Sequence, residues 1–410
     1  MAKSIKSIFS QGFNFYLVLI IINFPKINLL SIAGFKQGIR LDDLLILIFC
    51  LFNIKNIHLT KQSFLVFAYI TLTFLFSFVH QSNSIYSNYV NFHYLRFIQY
   101  FLLYIILLNR LDQKTIINLA VTTLIFQFLI STINFLFFFT VRDEFDRFSR
   151  ASGTTAGPWE LTMMLGTLYF ILSDHFKKTK QDLFEMYSYI SVWVLIIISY
   201  SRIVAIAFII ILAFQKFKLF IFLFFFVIYA ILFFGDNISS GIQISEKLHL
   251  SYFNLDRSYN FIRDYGGSIV ENWSRGDFYL GDRGDYYDST SKYYDPSLVG
   301  RLQQWGRYLS ITKNSEFTFF AILFGNGPGS GGIINDGMYI KLLIDFGLIG
   351  LLFYIFFIIR LFFVKKEVRF LLIFISISCI TLDFYWPTKI AYSLILAMCY
   401  FDKKNYLKKN

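Results

Sequence analysis

The chain has few residues of the kinds that build soluble catalytic sites. Only 16 % of its 410 residues are charged, and it has three cysteines and five histidines. The cysteines all lie in apolar segments and the histidines show no ligand spacing, so the sequence predicts no disulfide framework, no metal site and no redox chemistry. A glycine-rich run is present without a Walker lysine, which excludes the usual nucleotide loop.

Long apolar blocks make up most of the chain. It is 56 % hydrophobic and 21 % aromatic, with a mean hydropathy of +0.56, and the apolar residues fall in blocks of membrane-spanning length. We expect an all-α polytopic membrane protein with about 12 transmembrane helices and one large loop containing short helices. The predicted spans are 13–33, 41–54, 63–80, 94–109, 116–140, 158–175, 184–200, 203–216, 218–235, 336–360, 370–385 and 388–402. The halves show no repeat or symmetry, which disfavours an inverted-repeat carrier.

Basic residues recur after every second span, which predicts cytoplasmic termini. Pro25 and Lys26 interrupt the first apolar block, and many spans follow it, so we interpret it as a retained anchor rather than a signal peptide. Three regions follow from this topology. They are 1–235 with nine helices and an external loop at 141–158, the large external loop 236–335, and 336–410 with three helices and a cytoplasmic tail.

The two kinds of cation separate across this topology. The cytoplasmic side has 16 Lys and 3 Arg, whereas the external side has 5 Lys and 11 Arg. Arginine presents a planar fork of donors that grips phosphate or carboxylate bidentately, so its excess outside suggests recognition of an anion there. The alternative is chance in a lysine-rich composition, since long external loops tolerate charge.

The first external candidates lie in VRDEFDRFSRASGTTAGPWE, where Arg142, Arg147 and Arg150 precede a run of small residues. Pro158 closes this run and is expected to start the next helix. Three arginines in a short external loop oppose the positive-inside tendency, which a binding site would explain. Local pairing with the acidic residues between them is the alternative for Arg142 and Arg147, whereas Arg150 has no adjacent acidic partner.

Arg202 lies in YSRIVAI, a turn so tight that two apolar spans almost abut. This position puts a guanidinium at the external edge of the hydrocarbon. It faces a polar cavity or, alternatively, snorkels to the headgroups.

Arg301, Trp305 and Arg307 lie on about two turns of a predicted helix within the large loop. An indole on the same face as an arginine packs on a sugar ring while the guanidinium holds a phosphate. An interfacial anchor is the alternative for Trp305.

A glycine run and a carboxylate precede the tenth span. The glycines permit close approach of backbone amides to an anion or a re-entrant turn, although a plain linker also fits. They are Gly325, Gly327, Gly329, Gly331 and Gly332. Asp336 and Tyr339 share a helical face at the start of that span, and Asp336 is a candidate general base or, alternatively, a helix N-cap. Lys341 and Asp345 are spaced to neutralise each other within the bundle.

Taken in order, RASGTTAGP, SYSRIVAI, GRLQQW, FGNGPGSG and DGMYIKLLIDFGLIG resemble the motifs of the O-antigen polymerase and ligase superfamily. The closer resemblance is to its polymerase (Wzy) members, which build bacterial surface polysaccharides. The motifs cover about 150–350, and the flanking spans match in hydropathy only. Ligases typically carry a histidine where this chain has Asp336, and that departure favours the polymerase.

The resemblance implies a metal-independent glycosyltransferase of the GT-C type, with no cofactor, in the bacterial inner membrane with a periplasmic site. Its substrate is undecaprenyl-diphosphate-linked oligosaccharide, drawn from the membrane lipid, and its partners are a chain-length regulator and a flippase of the same pathway rather than nucleic acid. Ligase or flippase activity is the alternative.

On this interpretation Arg150, Arg202 and Arg301 stabilise the departing diphosphate, and Asp336 orients or deprotonates the acceptor hydroxyl. The expected substrate-binding residues are Arg142, Arg147, Trp305, Arg307, Gly327, Gly329 and Tyr339.

Overall fold

The computed structural model describes most of the predicted spans. It covers residues 12–25, 28–31, 38–57, 64–75 except 66, 70 and 73, 87–137, 151–199 except 156, 201–215, 221, 318–327, 337–380, 382 and 388–409. Within these ranges the chain is mostly helical, as the sequence predicts. The helices are α1 Phe13–Asn23, α2 Leu41–Phe52, α3 Ser87–Arg110, α4 Gln113–Phe137, α5 Pro158–Lys178, α6 Asp182–Ser199, α7 Arg202–Gln215, α8 Thr318–Phe324, α9 Met338–Val364, α10 Arg369–Ser378 and α11 Thr388–Lys409.

Three of these helices, α4, α6 and α9, are long and apolar enough to cross a membrane. Large apolar side chains are exposed along their outer surfaces, among them Phe137, Ile197 and Phe353. Exposed apolar area on this scale is typical of a surface that contacts lipid rather than water. The described part of the chain is therefore compatible with a helical membrane protein.

The first predicted span, 13–33, is wrong in its length. Helix α1 ends at Asn23, and the chain then enters a short antiparallel hairpin of strands β1 (Asn28–Ser31) and β2 (Gly38–Arg40). Pro25 explains the stop, because proline has no N–H to donate and disfavours helical backbone in the residue before it.

The predicted spans 370–385 and 336–360 also differ from the helices. Helix α10 stops at Ser378, and the amide of Met338 donates to the carbonyls of Cys379 (2.9 Å) and Leu382 (3.1 Å). These carbonyls thus cap the start of α9. Helix α9 itself is broken at Gly347, whose φ of 68° and ψ of −172° are not helical.

Helix contacts divide the bundle into two ends. We name the first the Asp43 end, where α2, α5, α9 and α11 begin and α1, α6 and α10 finish. Arg96 of α3 reaches Asp43 there, and the backbone amide of Lys389 in α11 donates to Glu160 of α5. Helices α2, α3, α5, α9 and α11 therefore run in one direction through the bundle.

The opposite end, which we name the Asp402 end, is where those helices finish. The hydroxyl of Tyr104 in α3 donates to Asp402 of α11 at 2.8 Å, and Lys365, after α9, pairs with the same carboxylate. Tyr400 of α11 donates to Asp174 of α5 at 2.9 Å. Helices α3, α5 and α11 thus take part in contacts with charged groups at both ends.

Candidate functional site: a buried charged centre at the Asp43 end

Seven buried polar side chains, six from four helices and Arg40 from the end of strand β2, meet at the Asp43 end. Charged side chains inside a membrane bundle are costly, so they are functional or structural centres by default. We call this group the buried centre. It consists of Arg40, Asp42, Asp43, Arg96, Glu160, Lys389 and Tyr392.

Asp43 links the start of α2 to α3. Its Oδ2 accepts a hydrogen bond from the backbone N–H of Arg40 at 3.0 Å and one from Nη2 of Arg96 at 3.4 Å. The first bond satisfies an amide at the helix start, and the second compensates a guanidinium that is almost completely buried. One carboxylate thus serves both as a helix cap and as a counter-ion.

Helix α11 enters the centre through two residues one turn apart. The hydroxyl of Tyr392 donates to Oδ2 of Asp42 at 3.1 Å. The ammonium of Lys389 donates to the carbonyl of Ile21 at 2.8 Å, while its backbone N–H donates to Oε1 of Glu160 at 3.1 Å. These bonds connect α11 to α1, α2 and α5 at one level of the bundle.

The formal charges of the centre cancel, because three cations face three carboxylates. The cations are Arg40, Arg96 and Lys389, and the carboxylates are Asp42, Asp43 and Glu160. The centre therefore carries no net formal charge, and its hydrogen bonds join α1, α2, α3, α5 and α11. Its chemistry is that of a framework that fixes helix positions at this end. Two donors of Arg40, Nε and Nη1, are buried without a hydrogen-bond partner among the described residues.

A second polar network, built on amides and hydroxyls, lies at the same end. Gln127 of α4 donates to Oγ1 of Thr154 at 2.6 Å and to Oδ1 of Asn23 at 3.1 Å, and its own Oε1 accepts the backbone N–H of Thr154 at 3.1 Å. Asn23 donates in turn to Thr123 at 3.0 Å. The network fastens the small-residue loop before α5 to α4 and α1.

That loop is folded into the bundle. Thr154 is buried, and Gly153 has a φ of +58°, with no room for a Cβ because the side chain of Gln127 lies against its Cα. The hydroxyl of Thr155 donates to the carbonyls of Ser152 (2.7 Å) and Gly157 (2.8 Å). Pro158 then begins α5, as the sequence predicts.

The loop also contacts the junction of α6 and α7. The amide of Ala151 donates to the carbonyl of Ile198 at 3.1 Å, and the hydroxyl of Ser199 donates to the carbonyl of Ala151 at 2.9 Å. Two residues separate the end of α6 at Ser199 from the start of α7 at Arg202, so the predicted tight turn is present. The residue that follows Arg150 in sequence is therefore hydrogen-bonded beside the turn that carries Arg202.

The glycine run meets α9 at its break. The amide of Asn326 donates to the carbonyl of Ile344 at 2.7 Å, and that of Gly327 donates to the carbonyl of Asp345 at 3.0 Å. Gly325 and Gly347 both have positive φ, and a Cβ on either would collide with the backbone of the other segment. Amides at the start of the glycine run thus satisfy carbonyls that the break at Gly347 leaves without helical partners.

Three other residues that the sequence singles out lie near the break in α9. The hydroxyl of Tyr339 donates to the carbonyl of Ser376 at 2.9 Å, and its ring lies half-buried beside Tyr354. Lys341 and Asp345 are both fully buried. Phe346 stacks edge-on against Phe97 at 5.7 Å, which joins the α9 break to α3 next to Arg96.

Most predicted site residues lie outside the described residues. The structure describes Gly327 and Tyr339 and the backbone of Arg202, and it brings their segments to the Asp43 end. The substrate-binding role of Gly327 stays a prediction, and its amide already bonds Asp345. Those outside are Arg142, Arg147, Arg150, Arg301, Trp305, Arg307, Gly329 and Asp336.

The sequence analysis did not single out the buried centre. Arg96 and Lys389 fall inside predicted spans, and Glu160 follows the start of another, so ionisable residues in apolar segments are the signal that would have found them. Their partners are distant in sequence, which hides the pairing.

Within the described residues, no group of three His, Cys, Asp or Glu side chains forms a set of metal ligands.

Comparison with known proteins adds no family assignment. Neither a scan against models of protein families nor a search of curated proteins finds a match for this chain.

Proposed function

We propose that this chain is a polysaccharide polymerase of the O-antigen type. It transfers a growing glycan from undecaprenyl diphosphate to the next lipid-linked repeat unit at the periplasmic face of a bacterial inner membrane. Both termini are then cytoplasmic and the Asp43 end faces the periplasm. The proposal starts from the ordered motifs of the sequence, whose resemblance to this family is described above.

The observation that carries the proposal is the meeting of motif-bearing segments at one end of the bundle. The loop 151–157 contacts the junction of α6 and α7, and the glycine run contacts α9. Glu160, just after the first motif, contacts the start of α11. Segments far apart in sequence thus meet where a shared site requires them, and the opposite end contains none of these contacts among the described residues.

The contact between Ala151 and Ser199 supports joint action of Arg150 and Arg202. Ala151 follows one arginine directly, and Ser199 lies three residues before the other. Fixed guanidiniums at the edge of a low-dielectric region stabilise the charge of a departing diphosphate without a metal, and Arg301 is the third cation that we assign to this task. The buried centre joins α1, α2, α3, α5 and α11 at the same end of the bundle.

The reaction is a direct displacement at the anomeric carbon. The acceptor hydroxyl oxygen forms the new glycosidic bond while the bond from the anomeric carbon to the diphosphate oxygen breaks, and the hydroxyl proton passes to Asp336. The configuration is inverted. Asp336 lies two residues before α9 begins at Met338, and Tyr339 with Trp305 supplies surfaces for the sugars.

Reconstitution of the purified protein with undecaprenyl-diphosphate-linked repeat units in the presence of a chelator tests the proposal. We expect wild-type protein to lengthen the lipid-linked glycan and Arg301→Ala to reduce elongation by at least about 100-fold, as for removal of a group that stabilises transition-state charge. Arg110→Ala, an exposed arginine at the Asp402 end, is the matched control and should elongate normally.

The same reconstitution separates the alternatives. A flippase would move the lipid-linked unit across the vesicle membrane without lengthening it, and a ligase would transfer it only to added lipid A core. Either result, or normal elongation by Arg301→Ala, would contradict the proposal.

A further inference from the structure

Gln127 occupies an unusual position for a residue in the middle of an apolar helix. It is fully buried, and its amide makes three hydrogen bonds that all leave its own helix, two to Thr154 and one to Asn23. A buried amide of this kind fixes the geometry of whatever it holds, because breaking its bonds leaves polar groups without partners.

What Gln127 holds is the loop 151–157. It bonds both the backbone and the side chain of Thr154, and it fills the space beside Gly153. On its other side the loop is bonded to Ile198 and Ser199, just before the turn to α7. The loop therefore has two anchors, one on α4 and one at the junction of α6 and α7.

We infer that Gln127 is a positioning residue for glycan transfer, acting through the loop on the arginines that flank it. This inference rests on the proposed function. Arg150 directly precedes the loop, and the α6–α7 turn bonded to Ala151 leads to Arg202. A displacement of about 1 Å in a group that stabilises a transition state costs up to about 100-fold in rate. Gln127 contacts no reacting atom in this mechanism and acts only by holding the loop.

Gln127→Met tests the inference, because methionine keeps the side-chain length and removes all three hydrogen bonds. We expect kcat for elongation to fall about 10- to 100-fold, with KM for the lipid-linked unit changing less than about threefold. Thr132→Val is the matched control: Thr132 lies on the same helix, but among the described residues its hydroxyl bonds only the carbonyl of Phe128 in its own helix. That variant should elongate normally.

A conservative variant adds a rescue test. In Gln127→Glu a protonated carboxyl keeps one donor and one acceptor, which suffice for the two bonds to Thr154. This variant should recover most of the kcat that Gln127→Met loses. Loss of kcat in both variants to the same extent would contradict the assignment to the Thr154 contact.

A spin label at position 152 reports the mobility of the loop independently of enzymatic activity. The three native cysteines are buried, so Ser152→Cys introduces the reactive thiol. We expect label mobility to increase in Gln127→Met and to stay unchanged in Thr132→Val. Unchanged mobility in Gln127→Met would show that Gln127 does not hold the loop, whatever the function.

The combined results separate the two proposals. A mobile label with unchanged kcat in Gln127→Met, alongside inactive Arg150→Ala, would overturn the positioning role and leave the proposed function standing. Absence of elongation by wild-type protein would overturn both.

Discussion

Charged side chains tie α3, α5 and α11 to neighbouring helices at both the Asp43 end and the Asp402 end, but the two ends differ in burial and in pairing. At the Asp43 end Arg96, Glu160 and Lys389 are almost wholly removed from the surface, and their bonds join five helices. At the Asp402 end the Lys365–Asp402 pair is about 25 % exposed on each side, and Lys178 is 46 % exposed. Partly exposed ion pairs are enough to join helices at the Asp402 end, whereas the Asp43 end contains a buried polar network.

This difference teaches where the chain tolerates an energetic cost. Burying six charges requires good geometry to offset desolvation, and apolar residues of similar size would often be at least as stable. Retaining them at the end where the motif segments meet suggests a role in fixing the geometry of that end. The four predictions that follow compare a change at the Asp43 end with a matched change elsewhere, or test the Asp402 end alone.

The largest contrast should come from removing one carboxylate at each end. Asp43→Ala leaves the buried guanidinium of Arg96 without this acceptor and should lower the free energy of unfolding by about 3–5 kcal/mol. Asp402→Ala removes a partly exposed pair and the acceptor of the Tyr104 hydroxyl, which water can replace, and should cost about 1–2 kcal/mol. Thermal unfolding in detergent measures both. Equal losses of stability in the two variants would contradict the proposed difference between the ends.

Substitution at the α9 break should have the next largest effect. Gly347→Ala places a Cβ against the backbone of Leu323 and Gly325 at a φ and ψ that only glycine adopts readily, which alone costs about 1–3 kcal/mol before the collision is counted. Gly12→Ala is the control, since nothing lies within 4 Å of its Cβ position and its φ is −74°. Thermal stability should fall in the first variant only, and a stable Gly347→Ala protein would show that the break is not required.

Two tyrosines on α11 give a smaller and closely matched comparison. Tyr392→Phe removes the hydroxyl that donates to buried Asp42 and should cost about 1–3 kcal/mol. Tyr400→Phe removes the hydroxyl that donates to Asp174, a more accessible carboxylate, and should cost below about 1 kcal/mol because water replaces the donor. Unfolding curves of the two variants test this order, and a larger loss for Tyr400→Phe would reverse it.

The smallest effect concerns pH at the Asp402 end. Burial alone would raise the pKa of Asp112, but hydrogen bonds from Thr115 and the charge of Lys403 outweigh it and hold this pKa below its ordinary value of 3.8. The carboxylate therefore stabilises the start of α4 above that value, and the contribution is lost as the pH falls through the lowered pKa.

Asp112→Asn is the matched test of this pH dependence. It keeps the cap and removes the titration, so stability curves of wild type and variant should differ near neutral pH by less than about 1 kcal/mol, because Asp112 is largely exposed, and converge as the pH falls through the lowered pKa. A difference that persists in acid would contradict this assignment.

Much of the helical framework could be predicted from the sequence. Helix α5 starts at Pro158, as predicted. The turn before Arg202 is short, as the closely spaced apolar segments on either side of it predict. The helical periodicity of apolar residues and the hydropathy of a segment depend on residues close together in sequence, so they locate helices within a few residues. The break at Gly347 escaped prediction because glycine is common inside apolar spans and its φ depends on a contact with Gly325, 22 residues earlier.

The buried centre could not be predicted from local pattern. Asp43 pairs with Arg96 and Asp42 with Tyr392, at separations of 53 and 350 residues. These pairings depend on how the helices pack, which a single sequence does not state. The glycine run shows a second limit of prediction from a local pattern. Its spacing suggested anion binding, a re-entrant turn or a linker; the amides of Asn326 and Gly327 bond the broken helix, and anion binding by the run stays a prediction.

Accessibility of engineered cysteines tests most directly the claim that the Asp43 end faces outward and carries the transfer site. Ser289→Cys lies in the predicted external loop 236–335, and Lys114→Cys is exposed at the Asp402 end, against a background of buried native cysteines. A membrane-impermeant thiol reagent added to intact spheroplasts should label position 289 and not position 114. Labelling of position 114 alone would contradict the account.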